Sequence, residues 1–321
     1  MGLVVHPEIK LALRIIKKHS LKIPIDFDTL VSEYANLIYK HIPIEGVDGV
    51  SLNLKVPGKR PTIVIDSNLP KTRQLFTLAH EFGHVIIPWH LGTIVDEFHS
   101  EYYNYIVYSE LEQEANRFAA ELLMPGEWIL SEFNKCNFNL SLLHENVVKL
   151  ACVSDQAAAI RLVEKLPPHI IYIAEKNGKV IHSGKTALTH LSLQEEGSRF
   201  DNECYPYFDT YIVFNAGSTH YHWWKLSTKI EINVDGAETW REILDKIVQT
   251  IQPPMGNDTF KKSINGIIAH ANGKCKGEED YSIDSVVSAC IYRLRRSDLK
   301  DLVSHPDFEK FVKVRVLDFF K

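Results

Sequence analysis

The sequence has no long apolar run. Its longest apolar stretches, such as 85–88 and 170–174, fall far below the ~20 residues a membrane-spanning helix needs. The opening MGLVVHPEIKLALRIIKKHS alternates charged with apolar residues. It lacks the apolar core and small-residue cleavage site of a secretory signal, so a cytoplasmic location is expected. Cysteine is scarce: Cys136, Cys152, Cys204, Cys275 and Cys290 are odd in number, widely spaced and form no CxxC pair. That excludes a disulfide framework and suits a reducing compartment. Positive charge is short as well. With 36 Lys+Arg against 41 Asp+Glu the net charge is −5, so there is no whole-chain basic footprint and direct nucleic-acid binding is not expected. No internal repeat or low-complexity segment is present. At 45% hydrophobic and 24% charged, the 321 residues are an ordinary globular chain long enough for two domains.

Residues 7–20 place Ile9, Leu13 and Ile16 on one helical face, and Pro24 ends that segment. Asp26 or Asp28 caps a second helix carrying Leu30, Val31, Tyr34, Leu37 and Ile38. From Ser51 to Val56 polar and apolar residues alternate, Pro57-Gly58 turns, and Thr62 to Ile65 is a short apolar strand. Two long helices follow, at about 71–88 and 109–123. Between them 91–108 reads as a polar loop holding His99 and the tyrosines Tyr102, Tyr103, Tyr105 and Tyr108, and one of those tyrosines could serve an oxyanion. Residues 127–135 and 141–165 are helical. The break at Val153-Ser154 makes 141–165 look like a helix-turn-helix, read here as two packed helices closing a domain. After Pro167-Pro168 the period becomes two, with a hairpin at Asn177-Gly178 and further strands at Tyr211 to Asn215 and Lys229 to Val234. The aromatic stretch HYHWW at 220–224 reads as a β-edge, and Arg293-Leu294-Arg295-Arg296 as a solvated helix face. Thr239 to Ile251 is a helix, and 258–321 is mostly helical.

The strongest signal is His80-Glu81-Phe82-Gly83-His84. On a helix, residues i and i+4 share a face, so both imidazoles can reach one tetrahedral Zn²⁺. Glu81 sits about 100° around that helix from His80, placed to act as a base without ligating the metal. The flanking Leu75, Phe76, Leu78, Ala79 and Val85 make this a buried helix, in which such groups need partners. Three residues compete for the third ligand. His90 has the spacing of HExxHxxGxxH, but the glycine of that turn is replaced by β-branched Ile87 ahead of Pro88. Glu112 repeats with Asn116 and small Ala119 at i, i+4 and i+7, which puts a ligand and a partner for a ligating His on one seam. Glu114 points about 200° away from Glu112. Glu112 is favoured.

These residues resemble those of the ImmA/IrrE metallopeptidases. The resemblance rests on Ile23-Pro24-Ile25-Asp26, PTIVI at 61–65, Arg73 with FTLAHEFGH, EQEANRFAAELLMP and VSDQAAAIRL, and covers about residues 20–165. It implies Zn²⁺ held by His80, His84 and Glu112, with Glu81 as the catalytic base. It implies a gluzincin-like endopeptidase that cleaves an Xre-type helix-turn-helix repressor in trans and so switches on stress-response or mobile-element genes. Only about 20 residues precede the IPID segment, so that repressor is expected to be a separate chain. The alternative is a metal-bound module that senses a signal or sequesters the repressor without cutting it. The expected fold class is α+β. A mostly helical, zincin-like protease domain with a small sheet spans 1–166, including the helix-turn-helix-like 141–165. A β-rich, sensor-like α/β domain spans 167–254, and a helical C-terminal region spans 255–321.

Overall fold

The computed structural model describes residues 6–95, 105–189, 191–205, 207–227, 238–277 and 281–321. Two compact units divide the chain, Met1–Lys165 and Leu166–Lys321. The architecture is α+β, with a small sheet in each unit and helices closing the C-terminal end.

In the first unit α1 spans Pro7–His19 and buries Glu8, Ala12 and Ile15, while Leu13 is 40% exposed. The buried stripe is thus rotated from the Ile9/Leu13/Ile16 face because Glu8 turns inward to pair with Arg117. Helix α2 is short, Phe27–Ser32, and Asp26 caps it by accepting from the Thr29 N–H. Leu37 and Ile38 do not extend it, as the sequence pattern suggested. They lie in strand β1, Asn36–Lys40, where parallel pairing with β3, Thr62–Asp66, overrides helical periodicity. Strand β2, Gly49–Leu54, runs antiparallel to β3, and β4, Gly92–Val95, adds at its other edge, giving the order β1-β3-β2-β4. Part of the segment read as a loop is therefore strand, while His99, Tyr102 and Tyr103 lie outside the described residues.

Two helices carry the centre of this unit. Helix α3, Lys71–Ile86, follows Pro70 and is buried almost continuously from Thr77 to His84. It stops at Ile87, whose extended backbone is what a following proline requires. Helix α4, Tyr105–Leu123, packs on it. The approach is close at Gly83: a Cβ there would lie 3.1 Å from Phe118 Cδ1 and 3.4 Å from Ala115 Cα. Helices α5 (Gly126–Lys135), α6 (Leu140–Ala151) and α7 (Asp155–Lys165) complete the unit. The turn between α6 and α7 uses left-handed Cys152, and Ser154 caps α7 through the Ala157 N–H.

The second unit opens with an antiparallel sheet in the order β6-β5-β8-β7, from β5 (Ile170–Lys176), β6 (Lys179–Lys185), β7 (Phe208–Ala216) and β8 (Thr219–Leu226). Asn177 and Gly178, both at positive φ, form the predicted tight turn. HYHWW lies on β8, an interior strand and not an edge, and Trp223 and Trp224 are both fully buried. The strand expected at Lys229 to Val234 lies outside the described residues. Helices α8 (Trp240–Ile251), α9 (Asn257–Lys276), α10 (Ile283–Arg295), α11 (Lys300–Val303) and α12 (Phe308–Leu317) share one apolar core. The basic run is divided. Arg295 donates to the Glu203 carbonyl, and Arg296 lies over the Tyr292 ring. No helix among the described residues is long and apolar enough to cross a membrane.

Candidate metal centre

Helix α3 presents His80 and His84 one turn apart, 3% and 0% exposed, and their Nε2 atoms lie 3.0 Å from each other. Helix α4 brings Glu112 to the same point. Glu112 Oε2 is 3.0 Å from His80 Nε2, and Glu112 Oε1 is 3.6 Å from His84 Nε2. Atoms able to ligate, one from each residue, all lie within 4.8 Å of one another, so the three could hold a metal ion. Glu112 Oε1 is buried and has no hydrogen-bond partner among the described residues, an orphaned carboxylate oxygen of the kind a cation satisfies.

Both imidazoles turn their other nitrogen outward to a partner. His80 Nδ1 meets Asn116 Oδ1 at 2.9 Å, and His84 Nδ1 meets His90 Nδ1 at 2.6 Å. Burial pushes the His84 pKa well below that of an ordinary histidine, with His80, His90 and Lys55 nearby acting in the same direction. The neutral imidazole is the form that donates a lone pair to a metal.

Glu81 is fully buried beside His80. Ser51 on β2 donates to Glu81 Oε2 at 2.5 Å. Gly49 on the same strand leaves room for that carboxylate: a Cβ there would lie 2.7 Å from Glu81 Oε1 and 2.6 Å from Thr77 Cγ2. Lys55 Nζ donates to the His84 carbonyl at 2.6 Å, near the end of α3. Sequence reasoning missed Gly49, Ser51 and Lys55. The one available signal is the small Gly49 and Ser51 on one face of an alternating strand.

The two rivals of Glu112 do not join the cluster. His90 is fully buried behind His84, and its Nε2 lies 2.9 Å from Glu114 Oε2. Glu114 also accepts from Trp89 Nε1 at 2.6 Å.

The Peptidase M78 family model, the IrrE N-terminal-like domain, matches residues 35–162. The chain is 32% identical over 145 residues to the radiation response metalloprotease IrrE of Deinococcus deserti, covering 41% of this chain and 49% of that protein. It is 32% identical over 149 residues to the protein of the same name from Deinococcus radiodurans, covering 43% and 44%. It is 31% identical over 127 residues to the uncharacterized immunity region protein 2 of Bacillus phage phi105, covering 40% of this chain and 73% of that protein. The chain belongs to the ImmA/IrrE metallopeptidase family. It spans about half the length of the Deinococcus proteins. The ImmA/IrrE match contains every residue of the cluster and leaves the second unit outside. Membership of this family implies a metal ion, and among the described residues His80, His84 and Glu112 form a group that could hold one. A solved Mycobacterium tuberculosis transcriptional regulator overlaps 57% of this chain and 56% of its own at 13% identity, with a TM-score of 0.39.

Proposed function

We propose that this chain is a zinc-dependent HExxH endopeptidase of the gluzincin type, with His80, His84 and Glu112 as metal ligands and Glu81 as the base. One observation carries the reading: two imidazole nitrogens and one carboxylate meet at separations of 3.0, 3.0 and 3.6 Å. Four ligands held ~2.05 Å from a tetrahedral Zn²⁺ would lie about 3.3 Å apart, which these separations bracket. Bound there, Zn²⁺ would polarise the scissile carbonyl and lower the pKa of a water toward ~7.

The chain's own groups do the rest. Glu81, steadied by Ser51, accepts the proton of the attacking water and passes it to the leaving amine. Asn116 keeps a proton on His80 Nδ1 and so leaves Nε2 free to ligate. The substrate proposed is a separate Xre-type helix-turn-helix repressor, cleaved in the cytoplasm to switch on genes. The names of the relatives, a radiation response metalloprotease and a phage immunity region protein, support a regulatory protein as the target.

The test is incubation with purified Xre-type repressors of the same organism, beginning with any encoded beside this gene. Fragments that require Zn²⁺, vanish with chelator and are absent with Glu81→Gln at unchanged metal content support the proposal. An intact repressor held in a stable complex overturns it in favour of a sequestering module.

A further inference from the structure

We infer that Glu114 and His90 form a tautomer lock for His84, holding its hydrogen on Nδ1 so that Nε2 offers a bare lone pair to the metal. The inference rests on the metal-site reading above. His90 and Glu114 were each weighed as ligands, and the structure places them in series behind one.

The argument is an inventory of hydrogens. The Trp89 indole can only donate, so at 2.6 Å it must give its hydrogen to Glu114 Oε2. An ionised carboxylate can only accept, so His90 Nε2, 2.9 Å from the same oxygen, must carry a hydrogen as well. A neutral imidazole carries one hydrogen, which leaves His90 Nδ1 as an acceptor. The atom facing it at 2.6 Å is His84 Nδ1, which must then be the donor. With its hydrogen committed at Nδ1, His84 Nε2 presents a bare lone pair toward His80 Nε2 and Glu112. His80 reaches the same state by a separate route, through Asn116 Oδ1. Two independent chains of hydrogen bonds therefore aim two lone pairs at one point.

Burial makes the lock effective. His84 and His90 are both fully buried, so no water competes for the shared hydrogen. His90 and Glu114 are positioning residues, acting through His84.

The direct test is long-range proton–nitrogen correlation on histidine-labelled protein, which distinguishes Nδ1–H from Nε2–H. It is paired with zinc affinity from chelator competition. In the metal-free wild type, His84 should carry its hydrogen on Nδ1 and His90 on Nε2. His90→Ala and Glu114→Ala should each lose about 10–100-fold in zinc affinity. Glu114→Gln keeps an acceptor oxygen and should restore most of that loss. The inference is overturned if His90 carries hydrogens on both nitrogens, if His84 carries its own on Nε2, or if folded His90→Ala binds zinc within about threefold of wild type. If Glu114→Ala fails to fold, the wild-type tautomers decide alone. A wild type that binds no zinc sinks the metal-site reading, while the tautomers still judge the lock.

Discussion

Ser51 and Glu81 are joined strand to helix: the Ser51 hydroxyl lies 2.5 Å from Glu81 Oε2 and 3.2 Å from the Glu81 carbonyl. Thirty residues separate them in the chain, yet the contact fixes the rotamer of the proposed base. Ser51→Ala should therefore lower kcat about tenfold, a loss near 1.4 kcal/mol for one hydrogen bond to a charged group. Zinc content and KM should stay unchanged. Equal kcat for the two proteins in a fluorogenic-peptide or repressor-cleavage assay would remove Ser51 from the mechanism.

Gly49→Ala attacks the same carboxylate from the other side. The new methyl would press on Glu81 Oε1 at 2.7 Å and Thr77 Cγ2 at 2.6 Å, both in the packed interior. Overpacking of this kind costs about 1–3 kcal/mol. A lowered melting temperature together with reduced cleavage is expected. Gly46→Ala is the control for backbone strain alone, since its positive-φ position has nothing within 4 Å.

Glu112 supplies the proposed charged ligand. Glu112→Ala should lose most bound zinc at neutral pH, measured by metal analysis after gel filtration. Asn116→Ala removes the partner of His80 Nδ1 and should weaken zinc by about 10-fold without abolishing it. Undiminished zinc in Glu112→Ala would return the third-ligand question to His90.

Arg161 and Glu121 form a buried ion pair at 2.5 Å, 4% and 3% exposed. Arg161 also donates to the Met124 carbonyl, and Glu121 also accepts from the Gly126 N–H and pairs with Lys165. Arg161→Met leaves the buried Glu121 carboxylate with only Lys165 and the Gly126 N–H, and should cost about 2 kcal/mol in denaturant unfolding. A double change, Arg161→Met with Glu121→Leu, should recover much of that loss. Failure to recover would show that the carbonyl and amide bonds matter more than the charge pair.

Stability should fall in acid through His144. It is fully buried, lies 2.9 Å from the Asp155 carbonyl, and burial pushes its pKa down to about 4. In the unfolded chain the same group takes a proton near 6.5. Its contribution is thus complete above about pH 6.5 and is lost as pH falls toward 4, about 3 kcal/mol in all. Melting temperature against pH should therefore be flatter over that window for His144→Gln than for wild type. Parallel curves would mean that His144 does not titrate with unfolding.

The local elements were legible where one residue type decides them. Asp26 caps a helix and Asn177-Gly178 turns a hairpin, because each acts on its own backbone. The helical run over 27–38 was misread, since the pairing of β1 with β3 that turns Leu37 and Ile38 into strand is made by residues about 26 positions away. HYHWW was misplaced at an edge for the same reason: strand order is a property of the whole sheet.

The site divides in the same way. That His80 and His84 share a helical face, with Glu81 offset beside them, follows from residue spacing, because the helical period is set by covalent geometry. The same periodicity on a second helix favours Glu112 over Glu114. Which third residue reaches the pair, that His90 stands behind His84 with Glu114 behind it, and that Ser51 and Gly49 enclose Glu81 are outcomes of packing. Those relations depend on how closely α4 and β2 approach α3. Gly83 against Ala115 and Phe118 sets the first distance, where an added methyl would lie 3.1 Å from a ring carbon, and Gly49 against Thr77 and Glu81 sets the second. Periodicity tells which way a side chain leaves its own helix, but packing alone determines what it meets.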